Sequence, residues 1–446
     1  MTDSHMHNPG RDSTEETRRN DVTSALNDNI MDRVLARENV KRAWLQVRRN
    51  RGAPGIDGMT VLEFPTYARN HWQEVRQALM EGKYRPSPVR RVEIPKSSGG
   101  KRKLGIPTVV DRVIQQAIAQ ILNPIFDPEF SESSFGFRPK RSAHDAVKAV
   151  REHISSGYSV AIEVDLEKYF DTVNHDVLME RVARKIRDKR VLKLIGLYLR
   201  AGVLVDGVKE QTREGVPQGG PLSPLLANIL LDDFDKELER RKHKFARYAD
   251  DFVILVKSKR AGERVKLSVT RFLEKKLKLR VNQEKSKTGQ ANKCQFLGFT
   301  FPGKTIRLTA DSLDEFKHRI RKLTGRSWSV SEEHRVDELN RYIRGWINYF
   351  VLSKYWTPIP ELDGWIRRRI RCCIWKQWKR PRTRVREMTK RGLNRPCAWQ
   401  LALSGHGPWF YSGHSALAQA LTNSYIHDTL GLISLKEIWC RFHYPS

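Results

Sequence analysis

Apolar positions along the chain follow three different rhythms, and each predicts a different kind of structure. Met31, Val34, Leu35, Trp44 and Val47 recur at helical spacing, which predicts one amphipathic helix over residues 30 to 49. Residues 85 to 156 mix a basic, glycine-containing hairpin with helices. Ser142, three positions before Asp145 and just ahead of Ala146 and Val147, has the arrangement of a capping box at a helix start. From Tyr158 the period drops to two, so that Val160, Ile162 and Val164 face one side of a strand and Asp165 the other. Two further β-type runs flank Tyr248-Ala249-Asp250-Asp251, which predicts a hairpin turn. Beyond about residue 308 the pattern is wholly helical. Leu313, Phe316, Ile320 and Leu323 mark one helix, Leu339, Ile343, Trp346, Ile347 and Phe350 a second, and Leu362, Ile366, Ile370 and Ile374 a third.

The hairpin carries the most restrictive chemistry. Two adjacent carboxylates repel, and gathering a third beside them would push at least one pKa up. Divalent cations remove that cost, and carboxylate oxygens suit Mg²⁺, which keeps waters and substrate phosphates in its shell. The strand ending in Asp165 is the natural source of the third ligand. Asp165, Asp250 and Asp251 on two strands can hold two Mg²⁺ ions about 3.5–4 Å apart, with Mn²⁺ able to substitute, the arrangement of nucleotidyl transfer. The plain alternative is an Asp-Asp turn on a surface hairpin, where aspartate is common.

Charge points to the substrate. Eighty-two Lys and Arg against 51 Asp and Glu leave a net charge of +31, a field that draws in polyanions. With 446 residues, several domains are expected. Five cysteines without a CxxC pair argue against a disulfide scaffold or a ribbon-type zinc site and for a reducing, cytoplasmic compartment. No apolar run has membrane-spanning length, and the polar first 28 residues are expected to be a disordered tail.

Eight blocks in order tie these features together. They are Asn50–Gly58, Ile94–Pro107, Phe135-Gly136-Phe137-Arg138-Pro139, Val164–Asp171, Gly215–Pro224, Tyr248–Asp251, Val281–Lys287 and Phe296–Gly298. In these blocks the chain resembles the reverse transcriptases encoded by group II introns, the intron-encoded maturases, over nearly its whole length. The resemblance implies an α+β right-hand polymerase, with fingers and palm built on antiparallel sheet, followed by an all-helical thumb or maturase domain. The expected boundaries are a tail over 1–28, an N-terminal extension and fingers over 29–156, a palm over 157–302, a thumb/maturase domain over 303–393 and a short element over 394–446.

Site residues follow from position within these blocks. Lys96 and Arg102 flank a glycine-rich turn, where two cations could fold onto an incoming triphosphate. Phe170 stands where the family places the aromatic that blocks a ribose 2′-OH, favouring dNTPs. Gln218 can bring its amide to the nucleotide or template backbone. Lys285 could protonate or neutralise departing pyrophosphate, with neighbouring Lys287 as a rival. Arg138, Arg367, Arg368, Arg371, Lys376, Lys379 and Arg380 are expected to bind nucleic acid. In the arginine-rich region, Trp365, Trp375 and Trp378 can stack on bases or fill the helix core.

The expected partners are structured intron RNA, an RNA template with its DNA primer, target DNA and dNTPs, with no membrane and a monomer or homodimer left open. Residues 394–446 carry neither paired CxxC motifs nor a His-Asn nuclease constellation, so an endonuclease-less bacterial type acting in the cytoplasm or nucleoid is expected. Its role would be reverse transcription, intron splicing and retrohoming. A domesticated enzyme of DNA repair or defence, a non-catalytic splicing cofactor and an RNA-synthesising polymerase stay open. Gly298–Thr305 spells a phosphate-binding P-loop, but the β-type residues on both sides predict a hairpin instead.

Overall fold

The computed structural model describes residues 29–95, 101–205, 208–210, 214–216 and 219–445. The chain divides into two compact units at Ala291/Asn292.

In the first unit the N-terminal periodicity resolves into two helices, α1 (Ile30–Val34) and α2 (Arg37–Arg49), rather than one. Ala36 is extended, and buried Asn39 donates to the Val34 carbonyl at 2.9 Å, which captures a group the helix leaves open at the break. Next come α3 (Phe64–Met80), strands β1 (Val89–Pro95) and β2 (Lys101–Ile106), α4 (Val109–Phe126) and α5 (Ala143–Ser155). The capping box at Ser142 and Asp145 forms as the spacing predicts. Helix α4 is buried nearly all round, Asp111, Arg112 and Gln115 included, and packs against α1 and α2.

The rest of this unit comprises β3 (Val160–Leu166), α6 (Tyr169–Thr172), α7 (His175–Ala183), α8 (Lys189–Leu199), β4 (Val203–Val205), β5 (Val208–Glu210), α9 (Ser223–Arg240), β6 (Lys244–Tyr248), β7 (Asp251–Val256), α10 (Lys259–Lys276) and β8 (Val281–Gln290). Four of these strands form an antiparallel sheet in the order β6-β7-β3-β8. Ile162, Val164 and Leu166 of β3 enter the core while Glu163 and Asp165 turn away, the alternation the sequence displays. The other sheet, β2-β1-β4-β5, departs from a purely antiparallel expectation, because Val89 and Arg90 pair in parallel with Val203 and Leu204.

The second unit begins with three short strands, β9 (Gln295–Phe296), β10 (Phe299–Thr300) and β11 (Arg307–Leu308). The expected palm runs to residue 302, and its last strands pack within this second unit. Phe299 packs on Tyr349 and Phe350, and the Tyr349 hydroxyl donates to the Leu297 carbonyl at 3.0 Å. The P-loop spelling lies here. Phe299 and Thr300 pair antiparallel with Leu308 and Arg307, so no helix follows the glycine turn and no phosphate cradle forms.

Helices α11 (Ala310–Leu323), α12 (Glu332–Phe350), α13 (Pro358–Gln377), α14 (Pro381–Lys390), α15 (Arg395–Leu403), α16 (Pro408–Ser412), α17 (Ser415–Ala420) and α18 (Leu435–His443) complete the unit. Residues 394–445 pack onto the helices before them. Tyr411 stacks on Trp375 and Trp439 on Trp356, and the Asp363 carboxylate accepts from Ser434, Leu435 and Lys436. One apolar core therefore runs from Leu308 to Trp439. Among the described residues no helix is long and apolar enough to cross a membrane.

Candidate active site

Asp165 and Asp251 are brought together by strand register. Val164 of β3 pairs with Phe252 of β7, so the next positions outward on the two strands are Asp165 and Asp251. Facing residues at such positions hold their Cβ atoms about 4.5–5.5 Å apart. Asp250 lies on the two-residue turn closed by the pair Tyr248 and Asp251.

That turn is strained and braced. Ala249 adopts φ 58°, a left-handed conformation that costs an L-residue roughly 1–2 kcal/mol, and it is buried. Its carbonyl accepts from Arg247 Nη1 at 3.0 Å. The Arg247 guanidinium, wholly buried, also reaches Asn228 at 3.0 Å, Ser134 at 2.8 Å and the equally buried Asp235 at 2.5 Å. Asn228 in turn donates to the Gly136 carbonyl at 2.8 Å. Gly136 lies so close that a Cβ there would fall 2.3 Å from the Ala249 nitrogen. The block Phe135–Pro139 thus works as backing for the aspartate turn. Arg138, expected on nucleic acid, is buried and spent inside this backing on Asp127 at 2.7 Å and on the Ser131 and Ser134 carbonyls. That expectation is corrected: its donors are committed to the fold.

On the other flank of Asp165, β8 bulges. Glu163 pairs with Lys287 but Asp165 with Asn282, so the intervening residues of β8 swell outward. The Asp165 amide donates to Ser286 Oγ at 3.1 Å, and Lys285 and Asn282 line the same cleft as the aspartates. Lys287 instead sits 3.4 Å from Glu163. The bulge therefore distinguishes two lysines that the sequence left as rivals.

Phe170 borders the cleft from α6, half-buried and edge-on to Tyr169. Its carbonyl accepts from Val216 at 2.6 Å. Gly215, at φ 96°, passes so close that a Cβ would meet the Asp171 and Phe170 carbonyls at 2.9 and 3.0 Å. A glycine is required there by space and by backbone conformation.

These walls enclose about 710 Å³, lined by Asp165, Asp250, Asp251, Asp171, Glu167, Phe170, Asn282 and Lys285, with Arg91, Lys101 and Lys103 from the basic hairpin. Arg91, Lys101, Lys103 and Asn282 escaped sequence reasoning, although alternation along β1 and β2 separates Lys101 and Lys103 from Arg102. Lys96 and Gln218 lie outside the described residues, as do residues 1–28; Arg102 is described only in its backbone, opposite Ile94. Carboxylates are the donors a magnesium ion takes, and Asp165, Asp250 and Asp251 all line this cleft. Among the described residues, no three His, Cys, Asp or Glu side chains are gathered tightly enough to form a ready metal cluster.

The basic residues of α13 and of the segment that follows it divide by role. Arg367 meets His427 at 3.4 Å, Arg368 stacks 4.2 Å over Trp409, and Arg371 donates to the Leu421 carbonyl at 2.8 Å. These three knit the C-terminal segments to α13, whereas Lys376, Lys379 and Arg380 are exposed. Trp375 and Trp378 are core residues; Trp365 is half-buried.

A carboxylate-bearing hairpin in an antiparallel sheet, facing lysines across a nucleotide-sized cleft, has the groups that template-directed nucleotidyl transfer needs. Residues 94–301 match the model of the reverse transcriptase (RNA-dependent DNA polymerase) family, and residues 313–392 that of the group II intron maturase-specific domain. Protein YkfC of Escherichia coli (strain K12) is 37% identical over 288 residues, 56% of this chain and 74% of YkfC. The group II intron-encoded protein LtrA of Lactococcus lactis subsp. cremoris is 33% identical over 293 residues, 51% of this chain and 49% of LtrA, so the chain covers about half of that relative. A putative COX1/OXI3 intron 1 protein of Saccharomyces cerevisiae is 34% identical over 217 residues, 48% of this chain and 26% of that protein. The chain belongs to the group II intron reverse transcriptase/maturase family and is an RNA-directed DNA polymerase with nucleic-acid partners. The family is divalent-metal dependent.

Proposed function

We propose that the chain extends a primer 3′-OH with dNTPs along an RNA template, and that Asp165, Asp250 and Asp251 hold two Mg²⁺ ions for this purpose. The observation that carries the proposal is the register that sets Asp165 beside Asp251, with Asp250 on the adjoining turn and Lys285 in the same cleft. Bound ions would supply the Lewis acidity that lowers the pKa of the attacking hydroxyl and offsets charge on departing pyrophosphate. Lys101 and Lys103, with Lys96 and Arg102 nearby in sequence, counter the triphosphate. Lys285 carries a proton toward the leaving group, and Phe170 crowds the sugar so that a 2′-OH is disfavoured. Gln218 contacts the nucleotide or template backbone. The helical unit binds the parent intron RNA in its splicing-competent form, with Lys376, Lys379 and Arg380 as exposed phosphate contacts.

Primer extension on a long RNA template with Mg²⁺, using dNTPs or rNTPs, tests this directly. Wild type should make long DNA products and Asp250→Ala none. Folded, RNA-binding protein that incorporates neither nucleotide would make the chain a splicing cofactor instead.

A further inference from the structure

The second unit has a cleft of its own, far less acidic than the first. It encloses about 360 Å³ between α11, α13 and α16 and is lined by Arg321, Thr324, Arg326, Trp365, Arg369, Cys372 and Trp409. Arg321 and Arg369 stand 5.6 and 5.4 Å from the Trp365 ring, and Arg368 4.2 Å from that of Trp409. Arg369 is fixed at the wall, because it donates to the Thr324 hydroxyl and to the Arg321 and Thr324 carbonyls at the end of α11. Among the described residues, no carboxylate lines the cleft or comes within ion-pairing distance of these arginines. Burial, with like charge from Arg321 and Arg326, holds the Arg369 guanidinium below its usual value.

Four cations gathered without a counterion repel one another unless an anion joins them. The volume is at the lower end of small-ligand sites, enough for one nucleotide and too little for a duplex. Guanidinium groups answer a phosphate, and the indole of Trp409, 39% exposed at the rim, offers an apolar face to a base. An acidic peptide would satisfy the arginines but bring no ring to the exposed part of the Trp409 indole.

We propose that this cleft takes one unpaired nucleotide of a nucleic-acid strand, its phosphate on Arg321, Arg326 and Arg369 and its base against Trp409. The proposal rests on the helical unit's having a nucleic-acid partner and gives that partner a specific seat. RNA and single-stranded DNA share the chemistry.

The test is photocrosslinking of the full chain to short single-stranded oligonucleotides carrying 5-iodouridine or 5-iododeoxyuridine, with the adduct located by mass spectrometry. An adduct on Trp409 or Trp365 is expected, and the arm that forms it identifies the strand as RNA, DNA or either. In Arg321→Ala/Arg326→Ala, two exposed positions, that adduct should fall several-fold. The salt dependence of oligonucleotide binding should flatten by about 0.7 for each arginine–phosphate pair that the substitutions remove from a single strand. Adducts confined to other residues in wild type, or an adduct undiminished in the double variant, would overturn the proposal. The polymerase assignment is judged separately by dNTP incorporation in wild type. A protein that forms the Trp409 adduct without incorporating dNTPs would lose that assignment and keep this one.

Discussion

Arg247 and Asp235 form an ion pair at 2.5 Å with neither side chain exposed to solvent, directly beneath the turn that presents Asp250. Burial pushes the Asp235 carboxyl up, and the Arg247 guanidinium pulls it back. A buried pair is a poor source of net stability, because desolvation consumes most of the attraction. Its value here lies in geometry: the same guanidinium holds the Ala249 carbonyl and so fixes a backbone conformation that alanine disfavours.

Replacing one partner should therefore differ sharply from replacing both. Arg247→Met leaves a buried, unpaired carboxylate and should cost about 3–5 kcal/mol in urea unfolding. Arg247→Met/Asp235→Leu should recover most of that stability while leaving the Ala249 carbonyl without its donor. Primer extension by the double variant should remain about 10- to 100-fold below wild type, the penalty of a misplaced reacting group. Full activity in a stable double variant would remove the positioning role.

The β8 bulge separates Lys285 from Lys287. Lys285→Ala should lower kcat for dNTP incorporation about 100-fold or more if the side chain gives a proton to the leaving group. Lys287→Ala removes only an ion pair with Glu163, which at the surface contributes roughly 0–1 kcal/mol, and should retain near-wild-type rates. Single-turnover kinetics distinguishes the two, and equal reductions in rate would show that the bulge does not sort them.

Gly215 and Gly289 make a second contrast. Gly215→Ala combines a left-handed backbone with an approach to the Phe170 and Asp171 carbonyls near 3 Å, and should destabilise by about 1–3 kcal/mol while raising the KM for dNTP through a displaced Phe170. Gly289 in β8 has open space for a Cβ and no positive φ, so Gly289→Ala should be neutral or stabilise by up to about 1 kcal/mol. Thermal unfolding together with steady-state kinetics reads both effects.

Much of this site was legible because its signals are local. The Asp250-Asp251 turn, the alternation of β3 and the capping box at Ser142 all depend on residues within a few positions of one another. What escaped depends on partners far apart in the chain. Arg247 precedes the aspartates closely, yet its purpose is set by Asp235 on α9 and Ser134 in the loop before α5. Arg138 reads as a surface cation until the fold encloses it with Asp127. Which unit the last palm strands pack in was not legible either: β10 continues a strand rhythm and the polymerase-family match runs to residue 301, yet Phe299 packs on α12 and the compact units divide at Ala291/Asn292. An arginine set among Phe245, Ala246 and Tyr248 in β6 was the available clue to Arg247.

Asp188 ties the N-terminal helices to the rest of the first unit, and its tie should open in acid. Its carboxylate caps α8 by accepting from the Arg190 amide at 3.0 Å, accepts from the Met31 amide at 2.8 Å and pairs with the Arg190 side chain, which also reaches Asp32 at 2.8 Å. Burial pushes this carboxyl up, but hydrogen bonds from Arg190 and from the Met31 amide, with the charge of Arg190, together hold it below the ordinary value. A carboxyl depressed in the folded state contributes stability that is fully present above its unfolded pKa of about 3.9, and that contribution is lost as pH falls through the folded value. Asp188→Asn keeps a cap oxygen but removes the charge, so wild type should exceed it by about 1.5–3 kcal/mol at neutral pH. The difference should stay level above about pH 5 and shrink below about pH 4. Urea midpoints of the two proteins across this range measure it; a difference independent of pH would mean that packing, rather than ionisation, makes the contact at Met31.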